Sequence, residues 1–132
     1  MELVVDGDAG TLILGFEDGD GNFGLEQADT TGIFCPSCPF HHNVFCDYQE
    51  WRDGQWVPVP LDPAVGQVPF HYRAPLVAPT GQNKTQRGTI TIALEPRYYL
   101  TSNWDTLRFA VHIVDRDLQS SDTLVTAAVT KP

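Results

Sequence analysis

The chain has 132 residues, of which 42% are hydrophobic and 19% are charged. This composition is typical of one globular domain and excludes a disordered chain, which would be less hydrophobic. The formal net charge is −9, which argues against nucleic acid or an anionic membrane surface as partner, because both favour a basic face. No apolar stretch approaches the roughly 20 residues of a membrane-spanning helix. We therefore expect a single domain over residues 1–132.

No signal peptide opens the sequence, because the apolar start at residues 3–5 is followed at once by Asp6. Two interpretations follow from this. Either the protein is cytoplasmic, or the chain is a mature fragment whose export signal has been removed. The three cysteines do not decide between them, since an odd number leaves at least one without a partner in the chain.

Apolar and polar residues alternate at period two along much of the chain, which predicts β-strands rather than helices. Asp53 and Gly54 are expected to form a hairpin turn, because Asp-Gly tolerates positive φ. Six prolines between residues 58 and 79 favour loops and edge strands in the middle third. The predicted strands lie at residues 12–16, 44–51, 55–59, 89–94, 107–113 and 125–129, and the last carries Val125, Ala127 and Val129 on one face.

Short strands separated by turn signals predict a single antiparallel β-sandwich. The alternation also predicts which side chains point into its core. The predicted core residues are Leu12, Leu14, Phe16, Ile90, Ile92, Leu94, Phe109, Val111 and Ile113.

Three segments carry a resemblance to a known group of proteins. FEDGDGNFG at residues 16–24 is similar to the F-x-DGDGD-x-G segment that opens small Bacteroidetes-type extracytoplasmic lipoproteins. IVDRDLQSSDTLVT at residues 113–126 resembles their closing hairpin, I-x-DRALN-x-SN-x-V-x-T, and residues 75–96 resemble their central loop and strand. Asn22 stands where the group has Asp, and Gln119 and Asp122 stand where it has Asn. The resemblance implies an immunoglobulin-like or fibronectin-like sandwich, a lipid-anchored precursor, and an extracytoplasmic place at the outer membrane or cell surface.

The acidic loop at residues 18–29 has the spacing of calcium ligands. Asp18, Asp20 and Asn22 match the first three positions of an EF-hand-like loop, and Glu26 and Asp29 would complete a ring of oxygens. Phenylalanine at position 23 stands where the sharp turn asks for glycine, and no helical pattern flanks the loop, so a true EF-hand is excluded. Two interpretations remain: a calcium site, or a Gly-rich turn whose carboxylates bind local backbone N–H groups.

The cysteines follow the spacing C-x2-C-x2-HH-x3-C, formed by Cys35, Cys38, His41, His42 and Cys46. Three interpretations remain open: a disulfide with one spare thiol, a zinc site, or a redox-active pair. If a disulfide forms, Cys46 is the predicted partner of Cys35 or Cys38. The reason is that closing the longer loop removes more entropy from the unfolded chain.

Trp51, Trp56 and Trp104 are candidates for stacking on sugar rings, and the alternative is that they close the ends of the sandwich. The sequence has no G-x-S-x-G, phosphate-loop or H-E-x-x-H motif, so an enzyme is not predicted. We expect a non-enzymatic accessory or interaction subunit at the cell surface, with a protein partner in an outer-membrane-associated complex and no nucleic-acid partner. The alternative is a ligand-binding module for a glycan or a divalent cation.

Overall fold

A computed structural model describes residues 1–18, 23–26, 28–59, 70–75, 86–94 and 97–132. Over these ranges the chain is all β, apart from two short 3-10 helices at Gly32–Phe34 and Pro39–His41. Antiparallel sheets pack against each other as a β-sandwich, which confirms the predicted fold class. The immunoglobulin-like or fibronectin-like form stays a prediction. Within the described ranges no helix is long and apolar enough to cross a membrane.

In the part of the chain that the structure describes, nine strands form two sheets, and these strands all pair antiparallel. The first sheet has the order β1-β2-β6, with β1 at Glu2–Asp6, β2 at Ala9–Asp18 and β6 at Gln86–Leu94. The second has the order β4-β3-β7-β8, with β5 also paired to β3 and β9 to β7. Its strands are β3 at Val44–Arg52, β4 at Gln55–Pro58, β5 at Phe70–Tyr72, β7 at Thr106–Ile113, β8 at Leu124–Val125 and β9 at Val129–Thr130.

The core lies between the sheets, where the alternation predicts it. Six of the nine predicted core residues are buried, and Phe16, Ile90 and Ile113 are partly buried against them. Every second residue of an antiparallel strand points to the same face, so one buried face fixes the register of the whole strand. The buried members of the predicted core are Leu12, Leu14, Ile92, Leu94, Phe109 and Val111.

The predicted hairpin turn is present between β3 and β4. Asp53 has φ +50° and Gly54 has φ +82°, so both central residues adopt the left-handed conformation that a tight two-residue hairpin requires. Arg52 consequently pairs with Gln55 across the turn. The proline-rich middle third supplies only short strands at the margin of the sheet, β4 and β5, and its residues 60–69 and 76–85 lie outside the described ranges.

The prediction that Val125, Ala127 and Val129 share one face of a single last strand is wrong. Two short strands replace it, Val125 is 47% exposed, and the buried residue of the segment is Thr126. The Thr126 hydroxyl accepts from the Phe109 N–H at 3.0 Å, and the Thr126 N–H donates to the Phe109 carbonyl at 2.9 Å. These bonds to β7 turn Thr126 inward and interrupt the alternation. Strand β1 was not predicted.

The side chain of Glu50 is fully buried on the inward face of β3. Its Oε2 accepts from the Tyr48 hydroxyl at 2.9 Å, from Ser102 at 2.8 Å and from Lys131 Nζ at 2.8 Å. Its Oε1 accepts from Arg52 Nη2 at 2.5 Å. Burial by itself raises the pKa of Glu50, but the hydrogen bonds from Lys131, Arg52, Ser102 and Tyr48 outweigh it and lower the pKa to about 2. The carboxylate is therefore a structural charge that ties β3 to the segments around it.

Candidate functional site

The predicted calcium loop is described only at its end. Asp20 and Asn22 lie outside the described residues, as does the side chain of Asp18, so the calcium prediction for them stays a prediction. Among the described residues, no group of three or more His, Cys, Asp or Glu side chains is placed to hold a metal ion. The remaining two candidates, Glu26 and Asp29, are described and have partners within the chain.

The Asp29 carboxylate is held by Arg116 from the closing hairpin and by the backbone N–H of Glu26 at 2.7 Å. The hydrogen bond from Arg116, followed by the one from Glu26, lowers the pKa of Asp29. Arg73 adds donors to the carbonyls of Glu26 and Asp29, at 2.8 and 2.6 Å. Asp29 thus fastens this loop to the sandwich, and a cation would have to displace Arg116 to reach it.

The structure joins Cys35 and Cys38 in a disulfide, with their Cα atoms 5.1 Å apart. The predicted pairing of Cys46 with one of them is wrong, because Cys46 is 2% exposed and free. The alternation of β3 turns it inward, opposite Val111 of β7. Burial, with a smaller effect from the neighbouring Asp47, raises the pKa of the Cys46 thiol to about 12. The entropy of loop closure predicts the longer bridge, but the register of β3 places the Cys46 side chain in the core, away from Cys35 and Cys38.

The two histidines beside the disulfide also have local partners. His41 Nδ1 lies 3.0 Å from the Phe34 carbonyl oxygen and 3.2 Å from Arg73 Nη1, which also donates to the His41 carbonyl at 2.8 Å. The His42 ring contacts the His41 ring edge-on, with centroids 5.3 Å apart. Burial, followed by the charge of His41, lowers the pKa of His42. Because two of the sulfurs are bonded to each other and Cys46 is in the core, the five zinc candidates do not converge in this structure.

A group of aromatic and basic side chains covers the outer surface of the second sheet. We call it the outer face, and define it by Phe45, Trp51, Trp56, His71, Arg108 and His112. These residues all stand at outward positions of β3, β4, β5 and β7, because the cross-strand pairs Trp51–Trp56, Phe45–His71 and Phe45–His112 place them on one side.

At one end of the outer face, the Trp51 and Trp56 rings meet at 5.2 Å with an angle of 66°, and Trp51 is 42% exposed. The Arg108 guanidinium lies over the Trp56 ring at 4.3 Å, and its Nε donates to Gln49 at 2.7 Å. A cation over an indole ring at this distance is attracted to it and holds its orientation. This end therefore presents an ordered, amphipathic surface.

At the other end, the Phe45 ring lies between two histidines. It stacks on His112 at 5.1 Å with an angle of 13° and meets His71 edge-on at 4.9 Å. His71 Nε2 is 3.9 Å from Asp47. Burial lowers the pKa of His71, and Asp47 opposes this effect. His71 and His112 therefore place imidazole nitrogens, which can form hydrogen bonds, beside the apolar Phe45 ring.

The structure separates the three predicted glycan-stacking residues. Trp51 and Trp56 lie together on the outer face, whereas Trp104 packs on Arg52, with its ring centroid 5.9 Å from the guanidinium carbon. Position 52 is on the opposite side of β3 from position 51. Trp104 is therefore not part of the outer face, and its role in glycan stacking stays a prediction.

The outer face has little negative charge, unlike the chain as a whole. Among the outward positions of β3, β4, β5 and β7 that the structure describes, Asp47 is the single acidic residue, although the chain has 17 Asp and Glu. Sequence reasoning missed Phe45, His71, Arg108 and His112 as members of one surface. The missing information was the cross-strand register, which brings residues from β5 and β7 beside β3.

No protein-family model, no curated protein and no solved structure matches this chain. The resemblance to small extracytoplasmic lipoproteins stays a prediction.

Proposed function

We propose that this chain is a non-enzymatic binding domain that acts as an accessory subunit at the cell surface, in an outer-membrane-associated complex, with a protein as its partner. The observation that carries this proposal is the outer face, where tryptophan and arginine side chains at one end and phenylalanine and histidine side chains at the other share the outward side of one sheet. Tryptophan, tyrosine and arginine are the residues most enriched among those that dominate the energetics of protein interfaces.

The charge pattern supports a protein partner. Interface centres are depleted of lysine and carboxylates relative to the rest of a protein surface. The outer face follows this pattern, with Asp47 as its single described carboxylate, whereas the chain carries a net charge of −9. The negative charge on the rest of the chain makes two copies repel each other, which disfavours self-association. A different protein is therefore the better partner for the outer face.

The disulfide between Cys35 and Cys38 supports the proposed location. Disulfides form and persist in oxidising compartments outside the cytoplasm, and they are rare inside it. This agrees with the removed-signal interpretation of the sequence and with the lipid-anchored precursor that the resemblance implies.

The proposal is tested by site-specific photo-crosslinking in cells that contain the full protein. A photoreactive phenylalanine replaces Trp51 in one variant and Val4 in another; Val4 is exposed on β1 of the other sheet. We expect one discrete crosslinked product from position 51 and none from position 4. A third variant, Arg108→Ala combined with the label at position 51, should weaken that product. Equal crosslinking at both positions would refute the outer face as the binding surface.

A glycan is the second candidate ligand, because Trp51 is exposed and an indole ring stacks on the apolar face of a sugar. Binding to soluble polysaccharides is measured by affinity electrophoresis with the wild type, Trp51→Ala and Trp104→Ala. A glycan site on the outer face predicts that Trp51→Ala abolishes retardation and that Trp104→Ala does not. If no polysaccharide retards the wild type, the glycan candidate is withdrawn and the protein partner is retained.

A further inference from the structure

Strand β6 forms a long edge of the first sheet and has few of the features that usually prevent an edge strand from pairing with another chain. It lies at the end of the order β1-β2-β6, and its pairing with β2 runs without interruption from Asp18↔Gln86 to Gly10↔Leu94. Its last seven residues, GTITIAL, contain no charge and no proline. Natural edge strands are usually short, charged or interrupted, because an open edge is a template for pairing with another chain.

The other edge strands that the structure describes differ from β6. β1 has five residues and begins and ends with a carboxylate, β4 has four and ends in Pro58, and β5, β8 and β9 have two or three each. β6 has nine. Alternate residues of an antiparallel strand turn their N–H and C=O groups away from their neighbour. On β6 these outward groups have no strand partner among the described residues.

A groove of about 440 Å³ runs beside this edge. Residues 89–93 line it in an unbroken series, which means that the edge of β6, and not one of its faces, forms the wall. Phe16 forms the partly exposed apolar floor, with Phe23 and Val44 buried beneath it in the core. The Phe16 and Phe23 rings are in contact, with centroids 4.8 Å apart. The volume is within the range of known ligand sites.

The opposite wall of the groove, residues 72–75, is already fixed by hydrogen bonds. The buried Asn43 side chain accepts from the Ala74 N–H at 2.6 Å and donates to the Ala74 carbonyl at 3.0 Å. Leu25 donates to the same carbonyl at 3.1 Å, and Arg73 is held by the carbonyls of Glu26, Asp29 and His41. This wall is thus preorganised, and within the part of the chain that the structure describes, the backbone edge of β6 is the side without a strand partner.

We propose that this groove binds an extended segment of a partner protein, which pairs with β6 as an added strand. The segment is apolar at alternate positions, so that every second side chain enters the groove toward the partly buried Phe16 ring. It carries net positive charge, because the chain it binds has a net charge of −9. Arg73, the charged side chain among the described residues of the groove lining, is already engaged by carbonyls.

A second copy of this chain fits the groove less well. Two copies would each bring a net charge of −9 to the contact. A second copy would also carry its own β2 on the far side of its β6, at the usual strand spacing of about 4.8 Å. Residues 72–75 also line the groove, so this second strand would have to lie against them. The proposal concerns a site separate from the outer face, so its outcome does not depend on Trp51.

The test uses the full chain and a synthetic peptide of alternating valine and threonine with a lysine at each end. Binding is followed by calorimetry and by amide hydrogen exchange. We expect saturable binding and slower exchange at alternate residues of β6, with no change in β1. The same peptide with glutamate at each end should bind at least about tenfold more weakly, because it adds negative charge to an acidic partner.

Two N-methylated peptides separate strand pairing from simple apolar contact. One carries the methyl group on every valine and the other on every threonine. Strand pairing requires that one of them loses binding and the other keeps it, since only one set of N–H groups faces β6. Equal binding of both, or protection spread away from β6, would overturn the proposal.

A protein variant supplies a further check. Ile90→Asp places a charge on the groove wall and should abolish binding, while Val125→Asp, at an exposed position of the other sheet, should leave it unchanged. If Ile90→Asp does not fold, the hydrogen-exchange result on the wild type decides. Sedimentation of the protein alone tests whether a second copy of the chain occupies the groove. A concentration-dependent dimer with protected β6 amides would overturn the proposed partner segment in favour of a second copy.

Discussion

Lys131 donates a hydrogen bond from Nζ to Glu50 Oε2 at 2.8 Å, although the two residues are 81 positions apart in the sequence. The Lys131 side chain is 9% exposed and the Glu50 side chain is fully buried, so the pair is shielded from solvent. Lys131 also donates to Ser102, which itself donates to Glu50. The segment after β9 is therefore tied to the centre of β3 through one carboxylate.

Replacing Lys131 with methionine should lower the free energy of unfolding. The substitution keeps most of the buried stem but leaves Glu50 with one fewer charged partner, and a hydrogen bond to a charged group is worth about 1.5–3 kcal/mol. Arg52 remains at 2.5 Å, so we expect a loss within this range and not complete unfolding. Urea denaturation measures the change.

A double-mutant cycle supplies the control for Lys131. Glu50→Gln removes the negative charge of the same pair. The doubly substituted protein should be more stable than the sum of the two single losses predicts, because neither the Lys131 ammonium nor the Glu50 carboxylate is then buried without the other. Strict additivity of the two losses would show that Lys131 and Glu50 do not interact in solution.

The pH dependence of stability should reflect the same carboxylate. The pKa of Glu50 is lowered from 4.5 to about 2 in the folded state, so between these values the unfolded chain binds more protons than the folded one. The stability that Glu50 contributes is fully present above pH 4.5 and is lost as the pH falls toward 2. The shift corresponds to about 3 kcal/mol at most.

Glu50→Gln isolates that contribution from other carboxylates, such as Asp29, whose pKa is also lowered. Urea denaturation of the wild type and the variant is compared at pH 7 and pH 3. The wild type should lose more stability between the two conditions than the variant does. The same loss in both proteins would contradict a depressed pKa at Glu50.

Two inward positions of β3, Cys46 and Glu50, show which parts of the fold can be predicted from the sequence and which cannot. The period-two pattern placed Leu12, Ile92 and Phe109 correctly, because an apolar side chain on a half-buried strand has one favourable side. The same pattern puts Glu50 and Cys46 inward, but a glutamate in the core is stable only with its partners, and these come from residues 102 and 131. Partners so distant in sequence follow from tertiary packing and have no local signal.

The outer face likewise contains one pair of neighbours that the sequence predicts and one that it does not. Trp51 and Trp56 are predictable neighbours, because the Asp53–Gly54 turn fixes the register of their hairpin. His112 and Phe45 belong to strands separated by more than 50 residues, and nothing in the local sequence sets the register between them. Their proximity is therefore a result of the fold.

Gly10 should not tolerate a larger side chain. A Cβ atom there would lie 2.6 Å from the Cβ of Tyr98, which is 1% exposed and has no room to move. Gly10→Ala should cost about 1–3 kcal/mol, the usual effect of overpacking a core. A Cβ atom added at Gly15, on the same strand, would meet no other atom within 4 Å.

Gly15→Ala is accordingly the matched control, and it should be neutral or slightly stabilising, since glycine loses more conformational freedom than alanine in a strand. Both variants are compared with the wild type by thermal and urea denaturation. Equal stability of Gly10→Ala and Gly15→Ala would show that Tyr98 does not pack against β2 as described.

The cysteines give the last prediction. Because Cys35 and Cys38 are bonded and Cys46 is buried with its pKa raised to about 12, the native protein without reductant should show no reactive thiol at neutral pH. Unfolding in denaturant should expose one thiol, that of Cys46. Replacing Cys35 and Cys38 with serine should cost about 2 kcal/mol, the chain-entropy value for so short a loop. A Cys46→Ser variant provides the control, since its unfolded, unreduced form should show no thiol. Three reactive thiols in the unfolded wild type would contradict the disulfide, and with it the support for a location outside the cytoplasm.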